Sequence, residues 1–160
     1  MNAPLEALRS LVSEALVASL GVMEDGVPAV SLVGFTAAFE PARFHLLVSE
    51  LSSHTPALRS DPRCSLLVHA LPSPDDPKSN HALVRLMVKG RATFLSREEA
   101  ERGGVTTRWR ARYPIADTLL GLSDFQFVEI VPSEGTFVQG FGRAYRVTGT
   151  NLDELTHVGR

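Results

Sequence analysis

Val17-Ala18-Ser19-Leu20-Gly21-Val22-Met23-Glu24-Asp25-Gly26-Val27-Pro28-Ala29-Val30-Ser31 is a short apolar run, a break, and a second apolar run that continues to Phe39. The break is Asp25-Gly26. That dipeptide accepts the positive φ angles of a two-residue hairpin loop, because glycine has no Cβ and aspartate tolerates the left-handed region. Val17 to Met23 and Pro28 to Phe39 are therefore expected to be antiparallel strands joined by a tight turn.

On the N-terminal side, Leu5, Leu8, Val12 and Leu16 recur at helical spacing and predict an amphipathic helix. On the C-terminal side, Arg43 to Ser49 alternates, with Phe44, Leu46 and Val48 on one face and His45 and Ser49 on the other. A polar break, Ser52-Ser53-His54-Thr55-Pro56, leads into a short helix from Ala57 to Ser60. Cys64 to Leu71 reads as a strand, and Pro72, Pro74 and Pro77 with Asp75 and Asp76 mark an exposed loop. Leu83 to Phe94 is a long strand, with Arg85, Met87, Lys89 and Arg91 on one face and Leu86, Val88, Ala92 and Phe94 on the other.

Ser96-Arg97-Glu98-Glu99 is a capping box before a charged helix, which Gly103-Gly104 weakens and Tyr113-Pro114 stops. Phe125 to Val131 and Thr136 to Phe141 are the last two expected strands, and the tail from Thr148 shows no pattern. About six or seven strands joined mostly by short turns make a mainly β (α+β) chain, a closed or partly closed antiparallel barrel. It does not alternate strand and helix as a dinucleotide-binding domain does.

The chain has 160 residues and reads as a single domain over 1–160. Apolar residues make up 44% and charged residues 21%, so it can bury a core without metal or disulfide. A formal charge of −2 disfavours nucleic acid, whose phosphates attract a basic excess. The lone Cys64 lies in an apolar run and reads as a core thiol. Glu6, Arg9 and Glu14 interrupt the N-terminus, so no signal peptide is expected, and no run reaches the roughly 18 apolar residues of a membrane helix. The expectation is a cytoplasmic protein.

Motifs for a Walker loop, a zinc helix or a nucleophile elbow are absent. The histidines are scattered without metal-ligand spacing; His45, His69 and His81 read as surface or loop residues, and so does His157 in the tail. The segment Ser49 to Thr55 joins a strand end to a helix start, where amides and hydroxyls suit a phosphate. On spacing alone, ordinary capping, with Thr55 as N-cap and Pro56 at the first helical position, is the favoured explanation. Arg85, Lys89 and Arg91 form a basic stripe, for which a solvated strand face is the plain explanation. Gly140-Phe141-Gly142 reads as a tight turn or bulge at a strand end, and Trp109 and Tyr113, four apart, are expected to pack together or against the barrel.

Ser49-x-Leu51-Ser52-x-His54-Thr55, Asp61-Pro62-Arg63-x-Ser65-Leu66-Leu67 and Arg85-Leu86-x-x-x-Gly90-x-Ala92 occur in an order that resembles the pyridoxamine 5'-phosphate oxidase-like FMN-binding split barrels. Tyr113-Pro114-x-Ala116, Asp124-Phe125 and Gly140-Phe141-Gly142-x-Ala144 continue the likeness, which covers roughly residues 13 to 147 and is nearest to the haem-utilisation, HugZ-like group. The resemblance implies an antiparallel Greek-key split β-barrel with a few peripheral helices, working as a homodimer with FMN at the subunit interface. It implies phosphate contacts from Ser49, Leu51, Ser52, His54 and Thr55, with Arg85 a further phosphate residue. Ser31 and the Gln139-Gly140-Phe141 turn would lie nearer the flavin ring. Leu32, Leu47 and Val68 are candidates for the dry part of the interface.

Three departures stand out. Ala57 replaces a common asparagine, Gln139 replaces a common glycine, and the sequence stops soon after Ala144, where longer haem-utilisation proteins carry a further small domain. Weak haem turnover is the corresponding expectation. The implied activity is FMN-dependent oxidation or reduction of a small molecule, haem being the family-level substrate. A flavin- or haem-binding module without turnover is the alternative.

Overall fold

Asp25 and Gly26 take φ angles of 51° and 79° and join β1 (Val17–Glu24) to β2 (Val27–Gly34) in an antiparallel hairpin. This is a computed structural model that describes residues 2–159. β2 does not run on to Phe39. It stops at Gly34, and β3 (Thr36–Phe39) begins after Phe35.

That break closes the barrel. β4 (Ala42–Ser49), β5 (Arg63–His69), β6 (Arg85–Leu95) and β7 (Phe125–Gly140) complete a sheet whose order is β2-β1-β5-β6-β7-β4-β3. β2 and β3 stand at opposite ends of that path, yet one residue connects them. The sheet must curl until its ends meet, and β2 does touch β4, with Phe35 fully buried at the join. β5, β6 and β7 are sequential neighbours and β4 lies beside β7, which is a Greek key. Its long connection carries α2 (His54–Ser60).

The last two expected strands are one. β7 runs unbroken through Pro132 and Ser133 because its pairing with β6 shifts register opposite Lys89/Gly90, a bulge that leaves Ser133 as the extra residue. A Cβ on Gly90 would stand 2.6 Å from the Val131 carbonyl oxygen, so glycine is needed for that approach. β8 (Arg143–Thr148) pairs with β7, and β9 (Glu154–His157) forms in the tail that showed no pattern.

The barrel core gathers Leu20, Leu46, Leu66, Val68, Leu86 and Phe44. α1 (Ala3–Glu14) adds Leu8, Leu11 and Val12; it is capped by Asn2, whose side chain accepts from the Leu5 amide. Leu16 lies beyond the helix and is exposed, so the helical spacing overran by a turn.

A second cluster lies outside the barrel. Ser96 and Glu99 form the expected capping box of α3 (Arg97–Arg102), and Gly103-Gly104 ends that helix and starts α4 (Val105–Arg112). With α5 (Ala116–Leu120) these helices press Ala100, Trp109 and Ala116 on Phe127 and Leu95. Trp109 and Tyr113 stack at 4.3 Å between ring centres, as their spacing suggested. His45 is the correction here. It faces away from the barrel core but is 2% exposed, because α4 covers it: Trp109 Nε1 donates to its carbonyl at 3.1 Å, and its Nε2 pairs with Glu129 at 2.9 Å.

Candidate functional site

The β4-to-α2 turn spends some of its polar groups on the fold and leaves others free. Ser49 Oγ donates to Asp124 Oδ2 at 2.7 Å and accepts from the Leu51 amide at 3.1 Å. Thr55 is fully buried and donates through Oγ1 to the Ser49 carbonyl at 2.5 Å. The N-cap position is Ser53, not Thr55, and its side chain makes no capping bond. The hydroxyls of Ser52 and Ser53 and the amides of Ser53 and His54 have no partner among the described residues. Leu51 is exposed at the tip of the turn.

His54 links this turn to β2, its Nδ1 lying 2.9 Å from Ser31 Oγ. Burial lowers the His54 pKa, with the Glu24 carboxylate opposing it. The imidazole therefore favours its neutral form, a hydrogen-bonding group more than a cation.

Arg85 belongs elsewhere. It opens β6 between His69 and Val138, and its guanidinium donates to the Leu83 carbonyl at 3.1 Å. Ser31 is in register with Leu20, and through it with Leu66 and Val88, so it faces inward; Arg85 alternates with the buried Leu86 and faces outward. Three strand spacings, roughly 14 Å, separate their strands. Gln139, Gly140 and Phe141 go with Arg85. They follow its partner Val138 into the β7–β8 turn, where Gly140 and Gly142 take φ of 145° and 72° and Phe141 is exposed. The ten residues implied by the resemblance thus fall into two groups, one at the β4–α2 turn with Ser31 and one at Arg85 with the β7–β8 turn.

The outward side of β2 is bare: Val30 is 74% and Leu32 71% exposed. Of the expected interface residues only Leu32 lies there. Leu47 packs under the helices and Val68 is fully buried in the barrel core, since β4 and β5 turn those positions toward other layers. Cys64 is buried, and burial pushes its thiol up to about 11, so it is no nucleophile. Among the described residues no three His, Cys, Asp or Glu side chains converge as a metal site would need, and no helix is long and apolar enough to cross a membrane.

The closed Greek key with helices on one flank matches the pyridoxamine 5'-phosphate oxidase family over residues 5–139, and the chain belongs to that family. Within it the chain is close to HutZ. It is 29% identical over 134 residues to the heme oxygenase HutZ of Vibrio cholerae, covering 83% of this chain and 74% of HutZ. It is 28% identical over 149 residues to the chloroplastic non-canonical heme oxygenase HOZ of Arabidopsis thaliana, covering 91% of this chain but only 43% of that relative. The fold superposes on that of Campylobacter jejuni ChuZ with a TM-score of 0.81, over 96% of this chain and 61% of that one, at 22% identity.

Proposed function

We propose that the protein binds haem on the bare β2 side of the barrel, where two copies meet, and supports its oxidative breakdown. The observation that carries the reading is the exposed apolar edge of Val30 and Leu32, in a chain similar to two heme oxygenases. An apolar ledge on an edge strand loses free energy to water until something covers it. A flat, largely apolar ring and a second copy of the chain together would cover it. Bound haem would supply the oxygen chemistry through its iron; the protein's part is to orient the ring and exclude water. Titration with haemin tests this: a Soret band that saturates at a fixed stoichiometry, and a bile-pigment product on reduction in air, are expected. A titration without saturation would refute it.

The unspent donors of Ser52, Ser53 and His54 favour a second reading, FMN with its phosphate at that turn. The residues fit a phosphate in number and type. They lack a cation, since the nearby Arg59 is taken up by Glu50 and Gln126. Arg85 stands three strands away from Ser31 and donates to the Leu83 carbonyl, whereas Arg85 of a second copy could serve. On this reading FMN sits between subunits, with its ring toward Ser31 and the Gln139–Phe141 turn, and the activity is FMN-dependent oxidation or reduction. Riboflavin and FMN binding equally well would remove this reading and leave the first intact.

A further inference from the structure

A groove of about 600 Å³ crosses the outer face of β2, β1, β5 and β6, and its two walls differ in chemistry. One wall is apolar, formed by Met23, Pro28 and Val30; the other carries Arg63, Lys89 and Arg91. A single register row crosses between them, Val30 to Gly21 to Ser65 to Lys89. The volume is within the range of about 300–1,000 Å³ usual for small-molecule sites.

Two features of the groove are not explained by the fold. Gly21 is the first. A Cβ there would meet only Ser65, at 3.8 Å, an ordinary contact, so the strand does not require glycine. What glycine does is leave the middle of the groove empty. The basic wall is the second. Arg63 and Arg91 are directly opposite on antiparallel strands, where like charges destabilise. Asp61 holds Arg63 at 2.6 Å, and Glu134, opposite Lys89, is held by Arg146 at 3.0 Å. Neither Lys89 nor Arg91 has an ion-pair partner among the described residues.

We infer that this wall receives the propionate carboxylates of haem, with Arg91 and Lys89 as the binding cations and the ring lying over Gly21 against Val30 and Met23. The inference rests on the haem reading and adds to it the residues that would select a ring bearing acid groups. A carboxylate on Arg91 would offset the like charge that Arg63 presents from the facing strand, and arginine can grip it with two parallel bonds.

The test uses three probes on the full chain: haemin, haemin dimethyl ester and metal-free protoporphyrin IX. The variants are Arg91→Ala, Lys89→Ala and Gly21→Phe, each checked for fold by circular dichroism. Haemin should bind at least about tenfold more tightly than its ester. Arg91→Ala should weaken haemin by about tenfold and leave the ester unchanged, Lys89→Ala should do the same to a lesser degree, and Gly21→Phe should weaken both. Equal loss for haemin and ester in Arg91→Ala, or haemin affinity unchanged in the double variant of Arg91 and Lys89, would overturn the inference while leaving haem binding itself standing. If protoporphyrin binds with the same Arg91 dependence but haemin does not, the haem reading fails and the groove assignment holds. If neither binds, both fail.

Discussion

The outer surface of the barrel has two halves built on the same alternation and treated in opposite ways. Over β4 and β7 the chain lays its own helices, so Leu47, Phe127 and Trp109 form a closed second core. Over the outer row of Val30, Gly21, Ser65 and Lys89 no helix lies among the described residues, so Val30 and Leu32 face solvent and Arg63 faces Arg91. Even the polar residues follow the division. On the covered half His45 is matched to Glu129 and Trp109; on the bare half Lys89 and Arg91 form no ion pair among the described residues. Strand periodicity says which residues point outward. Whether protein, ligand or water waits there depends on segments far away in the chain.

The largest effect belongs to the covered half. Trp109→Ala should cost about 3–5 kcal/mol, the usual penalty for emptying a buried aromatic site, read as a drop in the denaturant midpoint. A loss well under about 1 kcal/mol would mean that the helices are not integral to the fold. Next comes Arg85→Ala. If FMN is held between subunits, the loss of one charge-assisted contact, about 1.5–3 kcal/mol, should weaken it at least about tenfold without unfolding the chain. Unchanged affinity in an equilibrium titration would separate Arg85 from the cofactor. Ser96→Ala removes the capping box of α3 and should cost about 1 kcal/mol. An equal midpoint would show that packing of Ala100 alone holds that helix.

Much of this architecture was legible in the sequence, and the failures have physical reasons. Asp25-Gly26 was readable because a two-residue loop with positive φ admits few residue types. Ser96 and Glu99 were readable because a capping box is local. β7 looked like two strands because Pro132, Ser133 and Gly135 are poor strand formers; the bulge at Ser133, with Gly90 over forty positions earlier giving room on the partner strand, is what lets the ladder continue. β9 has no apolar alternation and exists through its pairing with β8. Of the site, the turn at Ser52 to His54 was visible as composition. That the Thr55 hydroxyl is spent on the Ser49 carbonyl and the Ser49 hydroxyl on Asp124, and that Arg85 faces away from Ser31, depended on register. The groove was invisible: Gly21 and Arg91 are seventy positions apart, and only the β1–β5–β6 pairing brings them to one face.

The smallest effect is a pH dependence from the covered half. Burial lowers the His45 pKa; the hydrogen bond and charge of Glu129 oppose this, and Arg108 and Arg43 reinforce it. A histidine whose folded pKa lies below its unfolded value of about 6.5 binds fewer protons folded than unfolded. Its stabilising contribution is therefore full above that value and declines as the pH falls toward the folded pKa. His54 acts in the same sense. Melting temperatures measured between about pH 7.5 and 5 should fall more steeply for the native chain than for His45→Gln. Parallel slopes would place the dependence elsewhere.

The central claim is that the bare half of the barrel is completed by a ligand and a second copy together. Sedimentation equilibrium over a wide range of protein concentration, with and without haemin, measures it directly. A ligand that touches both copies must tighten their association by the factor by which association tightens the ligand. The dimer should therefore persist to lower concentration when haemin is present. Leu32→Asp should leave stability within about 0.5 kcal/mol yet remove the dimer. A monomer that keeps stoichiometric haemin through dilution would contradict the account, because the site would then be complete in one chain.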